Sequence, residues 1–279
     1  MIWRRSFGSD QAALLSLSKD PMGGKVRLIW GFRKLRAPEG CDKFRAYAIE
    51  REGKVAGCAF SWDWPGGHRY LSGLRFGGEM ATRPRPAYWK HAFESLLENV
   101  SCAWTSIGRE NRRARRILES GVKWLPRYEP RQKITTWFVP LGARQAKAGA
   151  GSFASANPAL QVADWRYVAI ASGKGWGYRA GRFFNACGLR GIPRPNRPIR
   201  IGYYHPSPGQ SIHDMRNVCH NARGIDGIVV VLPDDSELGR RWEAAAPRMS
   251  WKWFSTLYSV SWNRNQPLPE VPQWKGLWL

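Results

Sequence analysis

The stretch from Tyr70 to Gly121 constrains the chain most, because strand and helix patterns alternate there around a basic loop. Tyr70-Leu71-Ser72-Gly73-Leu74-Arg75-Phe76 has strand composition, with Leu71, Leu74 and Phe76 as its apolar members. Gly77 and Gly78 break the ladder, and Ala81-Thr82-Arg83-Pro84-Arg85-Pro86 follows as a loop. Tyr88, Phe93, Leu96 and Leu97 then recur at helical spacing. Val100 to Ile107 predicts a second strand, and Asn111 to Ser120 a second helix that Gly121 stops. A basic loop that runs into a helix N-terminus is a site for an anion. Free backbone N–H groups and the helix dipole both favour a phosphate there, and Arg83 and Arg85 add charge and forked donors.

A hairpin precedes this stretch. Phe44 to Arg51 alternates in strand fashion, Glu52-Gly53 is a tight turn, and Lys54 to Trp62 is the partner strand. Lys25 to Phe32 is apolar and reads equally as helix or strand. Leu125 to Pro130 and Ile134 to Leu141 read as a closing hairpin. Residues 143–159, rich in Ala, Gly and Ser, read as a linker. Beyond it, Trp165 to Ser172 and Ile199 to Tyr204 predict strands, and Ser211 opens a helix through Cys219. Gly227 to Leu232 is an apolar run suited to a central strand. Glu237 to Ala246 predicts a helix and Phe254 to Trp262 a last strand. The order strand, loop, helix, buried strand, helix, strand thus occurs twice.

Those residues together resemble the GNAT acyltransferase superfamily. In that family an apolar-x-apolar strand holds acyl-CoA by backbone hydrogen bonds, a following loop wraps the pyrophosphate, and an Asn-x-x-Ala helix flanks the pantetheine arm. Leu74-Arg75-Phe76, the loop Arg83 to Ala87, and Asn111-Arg112-Arg113-Ala114 take those places. The resemblance therefore implies cofactor contacts at Leu74, Arg75, Phe76, Arg83, Arg85, Ala87, Asn111 and Ala114, with acetyl-CoA or another acyl-CoA as donor. The basic Val-Ala-Gly after the Glu52-Gly53 turn is how such proteins commonly open their sheet. Two positions depart from the family: Pro84 and Pro86 stand where glycines are usual, and Leu118 stands where a tyrosine acid is frequent. The implied fold class is mixed α/β (α+β), with two GNAT-like lobes as in tandem bacterial members, each a mostly antiparallel mixed sheet flanked by helices. Residues 1–142 are the expected acyltransferase lobe and 160–279 a degenerate one, whose loop His205 to Gln210 has no arginine.

Transfer of an acyl group to an amine needs a base for the amine and an acid for the leaving thiolate. Glu79 and Glu110 are the candidate bases and Tyr128 the candidate acid; each is otherwise an ordinary surface residue. The acceptor amine is not legible. The formal net charge of +23 suits anionic partners, so a basic nucleic-acid- or polyanion-binding module on an inactive scaffold is the alternative. Five arginines between Arg109 and Arg116 carry that reading, but no known nucleic-acid-binding motif accompanies them. The five scattered cysteines form no C-x-x-C pair, which points to reduced thiols and a cytoplasmic protein. His213 and His220 share a helix face but lack further ligands, so no metal is expected. No run is long and apolar enough for a membrane helix, and no G-x-S-x-G marks a hydrolase.

Overall fold

In a computed structural model, the described residues form one sheet of eleven strands with four principal α-helices. The structure describes residues 2–6, 8–10, 12–14, 27–32, 43–64, 67–76, 86–109, 111–141, 160–170, 198–204, 206, 211–222, 224–247 and 250–262. The first strands are β1 (Ile2–Arg5), β2 (Arg27–Phe32), β3 (Lys43–Arg51), β4 (Lys54–Trp64) and β5 (His68–Phe76). Then come α1 (Pro86–Leu96), β6 (Ala103–Gly108), α2 (Arg112–Leu118) and β7 (Arg127–Pro140). The remainder is β8 (Leu160–Ile170), β9 (Pro198–Tyr204), α3 (Ile212–Asn221), β10 (Gly227–Pro233), α4 (Glu237–Ala245) and β11 (Trp251–Ser261).

Local chemistry accounts for many of the boundaries. Glu52 and Gly53 both have positive φ, as the two-residue turn of the β3–β4 hairpin requires. Ser211 and Asp214 form a reciprocal capping box on α3, and Ser236 caps α4. The run Gly227–Pro233 is buried between two neighbours, and Val230 is fully enclosed. The ambiguous segment before Phe32 is resolved as a strand by pairing with β8.

The strand order is β1-β3-β4-β5-β6-β11-β7-β10-β9-β8-β2. Only β5–β6 and β9–β10 run parallel; every other neighbouring pair is antiparallel. The repeat expected from sequence is plain in this topology: β5-α1-β6-α2-β7 matches β9-α3-β10-α4-β11, each with its parallel pair. The two sheets are joined into one because the halves exchange their last strands. β11 lies against β6 of the first half, and β7 lies against β10 of the second. These two exchanged strands pair with each other from Arg127↔Ser261 to Phe138↔Trp251.

The expected hairpin between Leu125 and Leu141 is instead the single strand β7. Pro130 and Gln132 face Tyr258 and Leu257, so Arg131 is the extra residue of a bulge. A bulge accommodates the missing N–H of proline without a turn. With β11 on one edge and β10 on the other, the chain here has partners only if it stays extended.

The first half has a core on each face of the sheet. Tyr47, Ile49, Leu71, Ala103, Tyr128, Tyr258 and Val260 pack under Phe93 and Leu96 of α1 and the adjoining Leu97. On the opposite face Phe60, Trp62, Tyr70, Trp104 and Leu257 gather around Leu14. The second half encloses Tyr204, Met215, Ile228, Val230 and Trp242 beneath α3 and α4.

Candidate active site

Among the described residues, the sheet parts between β5 and β6. The parallel ladder between β5 and β6 consists of Arg69↔Ala103 and Tyr70↔Trp104, and then stops. Beyond it β5 continues to Phe76 and β6 to Gly108 with no pairing between them. Each keeps its outer neighbour: Arg75 and Phe76 pair with Cys58 and Gly57 of β4, while Gly108 pairs with Ser255 of β11. The result is a fork, about 20 Å deep from Tyr70 to Phe76 at the ordinary strand rise. Backbone groups on its inner edges have no strand partner among the described residues. In the second half, β9 is paired with β10 through Tyr204, the last residue of β9.

Bond geometry within β5 fits this opening. Phe60 faces Ser72 and Cys58 faces Arg75, so β5 carries an extra residue at Gly73 and Leu74. Gly73 supplies the left-handed conformation the bulge needs, at φ +61°. A methyl group there would lie 2.5 Å from the Phe60 ring. The bulge therefore requires glycine twice over, for its backbone angle and for its space. Leu74 is half-buried against the core beneath α1.

Helix α1 lines up with the fork through a buried arginine. Arg69 Nη1 donates to the carbonyls of Leu96 (2.9 Å) and Glu98 (2.7 Å), at the C-terminal end of α1. Its Nε and Nη2 donate to the two carboxylate oxygens of Asp63, at 2.6 and 3.2 Å. Arg45 meets the same carboxylate at 2.7 Å. A cation at the carboxyl end of a helix is favourable by dipole and by hydrogen bonding. Burial pushes the Asp63 carboxyl up, and the bonds from Arg69 and Arg45 more than reverse this, leaving it below its usual value. Since the C-terminus of α1 is tied to the closed end of the fork, its N-terminus at Pro86 faces the open end. At the far end of β6, Asn111 caps α2 by accepting from the Ala114 N–H at 3.2 Å.

Three phenols stand on the strands of the fork or on β11 and β7 beyond it. Tyr70 reaches across it: its oxygen accepts from the Ser106 N–H at 3.2 Å and lies 2.7 Å from Ser106 Oγ. Burial raises this phenol to about 12. Tyr128 stands edge-on to Phe93 and Tyr258, with ring centroids 6.0 and 6.4 Å away. Its hydroxyl has no hydrogen bond among the described residues, and burial holds its proton far above the ordinary value. Tyr258, from β11, donates to Glu119 at the end of α2 and accepts from Arg115 Nε at 3.2 Å. The bond from Tyr258 lowers Glu119, and burial followed by the same bond raises Tyr258, so the carboxylate is the ionised partner.

Of the residues singled out by sequence, Leu74, Arg75 and Phe76 lie on the fork's β5 edge and Asn111 and Ala114 just beyond its β6 edge. Ala87 is in the first turn of α1. Tyr128 is on β7, across β11 from β6. Glu79, Arg83, Arg85 and Glu110 lie outside the described residues, as does most of the loop His205 to Gln210. Sequence reasoning missed Arg69, Ser106, Glu119 and Tyr258. Each acquires its meaning from a partner distant in the chain, so no local spacing announces it. His213 and His220 are exposed on α3, and no metal-holding cluster of His, Cys, Asp or Glu occurs among the described residues. No described helix is long and apolar enough to cross a membrane.

No protein-family model matches the chain, and no curated protein matches it by sequence. Solved structures do resemble it. A tandem GNAT protein from the clavulanic acid biosynthesis pathway is 10% identical, with a TM-score of 0.49 over 95% of this chain and 99% of that one. A GNAT-family acetyltransferase from Colwellia psychrerythraea is 10% identical, with a TM-score of 0.42 over 94% and 100% of the two chains. A GCN5-related N-acetyltransferase from Sphaerobacter thermophilus is 12% identical, with a TM-score of 0.42 over 80% and 82%.

Proposed function

We propose that the chain is an acyl-CoA-dependent N-acyltransferase whose donor lies in the fork between β5 and β6 of the first half. The observation that carries this is the parting of β5 and β6 after Tyr70 and Trp104, beyond which both strands continue with their outer neighbours. Unpaired strand edges suit an extended molecule rich in amides. The N-terminus of α1 at the open end suits its phosphates, with Arg83 and Arg85 in the loop before it adding charge-assisted bonds of about 1.5–3 kcal/mol each. Pro84 and Pro86 remove donors from that loop, so binding leans on the two arginines. Ala87, Asn111 and Ala114 flank the donor, and Leu74, Arg75 and Phe76 offer it backbone groups.

Acyl transfer joins the amine nitrogen to the thioester carbonyl carbon as the carbon–sulfur bond breaks. Backbone N–H groups at the Gly73–Leu74 bulge are placed to polarise the carbonyl. Glu79 and Glu110 are the candidate bases for the amine proton. Tyr128 is the candidate donor to the leaving sulfur. Because burial holds its proton so firmly, it serves better as a hydrogen-bond donor than as a strong acid.

Calorimetric titration with CoA tests the proposal. Arg83→Ala with Arg85→Ala is expected to weaken binding at least tenfold, about 1.4 kcal/mol. Unchanged affinity removes this loop from the pyrophosphate site. Tyr128→Phe is expected to lower kcat while leaving CoA affinity nearly intact. A second reading, polyanion binding, is favoured by Arg112 and Arg116, exposed on α2 and in no ion pair among the described residues. Steep loss of nucleic-acid binding with salt would support it.

A further inference from the structure

The closed end of the fork is sealed by a side chain that belongs to the fork itself. At the first position where the strands part, the Ser106 N–H points toward β5 and meets the Tyr70 phenol oxygen in place of a β5 carbonyl. Ser106 Oγ lies 2.7 Å from the same oxygen, so the hydroxyl is held by two groups of β6. The ring is held as well. Tyr70 is 2% exposed, its centroid is 5.8 Å from that of Trp62, and it shares a core with Phe60 and Trp104. Across the sheet, Leu71, Ala103 and Ile107 fill the other face beneath α1. Buried side chains thus occupy both faces at the crotch.

The orientation of a bound donor follows from the helices. Arg69 fixes the C-terminus of α1 at the closed end of the fork, so the phosphate-attracting N-terminus is at the open end. A donor with its phosphates there directs its acyl tail at the crotch. We infer that Tyr70, bridged to Ser106, forms the floor of the acyl pocket and sets the longest acyl group this protein accepts. This rests on the acyl-transfer reading. The assignment makes Tyr70 a specificity-determining residue whose role is to occupy space, held in place by its contacts with Ser106 of the adjacent strand.

The test is a binding series of free CoA, acetyl-, propionyl-, butyryl- and hexanoyl-CoA, measured by calorimetry on the full chain. The wild-type protein is expected to bind the acetyl and propionyl donors at least as tightly as free CoA. Affinity is expected to fall at least tenfold by hexanoyl. Tyr70→Leu shortens the floor and is expected to restore hexanoyl binding to within threefold of acetyl. Tyr70→Phe keeps the ring in its aromatic cluster while removing the bridge, and is expected to raise butyryl affinity relative to acetyl at least threefold. A chain-length profile that is flat in the wild type overturns the floor while leaving the donor site intact. So does an unchanged profile in folded Tyr70→Phe, which keeps the test open if Tyr70→Leu does not fold. Absence of CoA binding in the wild type overturns the acyl-transfer reading and this inference together.

Discussion

Gly73→Ala is the substitution whose outcome the geometry fixes most closely. At φ +61° an alanine pays about 1–2 kcal/mol for the left-handed backbone. Its methyl group would lie 2.5 Å from Phe60, a side chain 1% exposed and enclosed by the first-half core. Forcing an extra carbon into such a place costs about 1–3 kcal/mol. The stiffer unfolded chain offsets about 0.4–1 kcal/mol, so the net loss is about 1.5–4 kcal/mol. Gly53→Ala is the control, because Gly53 has φ +74° but nothing within 4 Å of a methyl group. The difference between the two variants isolates the Phe60 contact at about 1–3 kcal/mol. Urea unfolding followed by tryptophan fluorescence measures it; with a slope of about 2.5 kcal/mol/M, a loss of 2.5 kcal/mol moves the midpoint by about 1 M. Phe60→Leu should recover part of the loss in the double variant. If Gly73→Ala and Gly53→Ala lose the same stability, the wedge of Phe60 under the bulge does not exist as described.

Asp63→Asn leaves Arg69 buried without its carboxylate and should cost about 2–4 kcal/mol by thermal or urea unfolding. Because Asp63 titrates below its ordinary value when folded, its contribution is complete above about pH 4 and is lost as pH falls through the depressed value; the variant should lack that part of the acid limb. Asp234→Ala strips Arg109 Nη2 and Thr135 Oγ1 (2.5 Å) of their shared acceptor between the halves, at a cost of about 1–3 kcal/mol discounted for partial exposure, readable as a lower melting temperature. Residues 1–159 and 160–279 expressed separately should each fail to unfold cooperatively, and should regain a cooperative transition when refolded together; a fragment that is stable alone would show that the exchanged strands are dispensable.

Much of the architecture was legible because it is locally encoded. The Glu52-Gly53 turn, the Ser211 cap and the apolar Gly227–Pro233 run each announce an element without reference to the rest of the chain. The internal repeat followed from their order. The exchange of β7 and β11 was not legible, since both strands carry residues suited to pairing on either edge, and nothing in their composition says which half supplies the neighbour. Pro130 suggested a turn, whereas the bulge opposite Leu257 and Tyr258 absorbs it. At the site, Leu74 and Asn111 were singled out through a family-like motif, and the structure sets them on β5 and at the start of α2. Arg69 was one of 44 basic residues until the structure set it against Asp63 and the end of α1. Tyr70 looked like the first residue of a strand, and its meeting with Ser106 depends on where the ladder stops.

The exchanged strands also have a consequence for how this protein is made. Tyr258 and Val260 are both fully enclosed and belong to the core of the first half. A nascent chain therefore cannot complete that core when residue 142 leaves the ribosome; it must wait until residue 261 has been synthesised. During that interval the edges of β6 and β7 that later receive β11 are open ladders, able to pair with other chains. Translation speed over the second half, and any chaperone that shields those edges, should govern the yield of active protein more than the stability of the finished fold does.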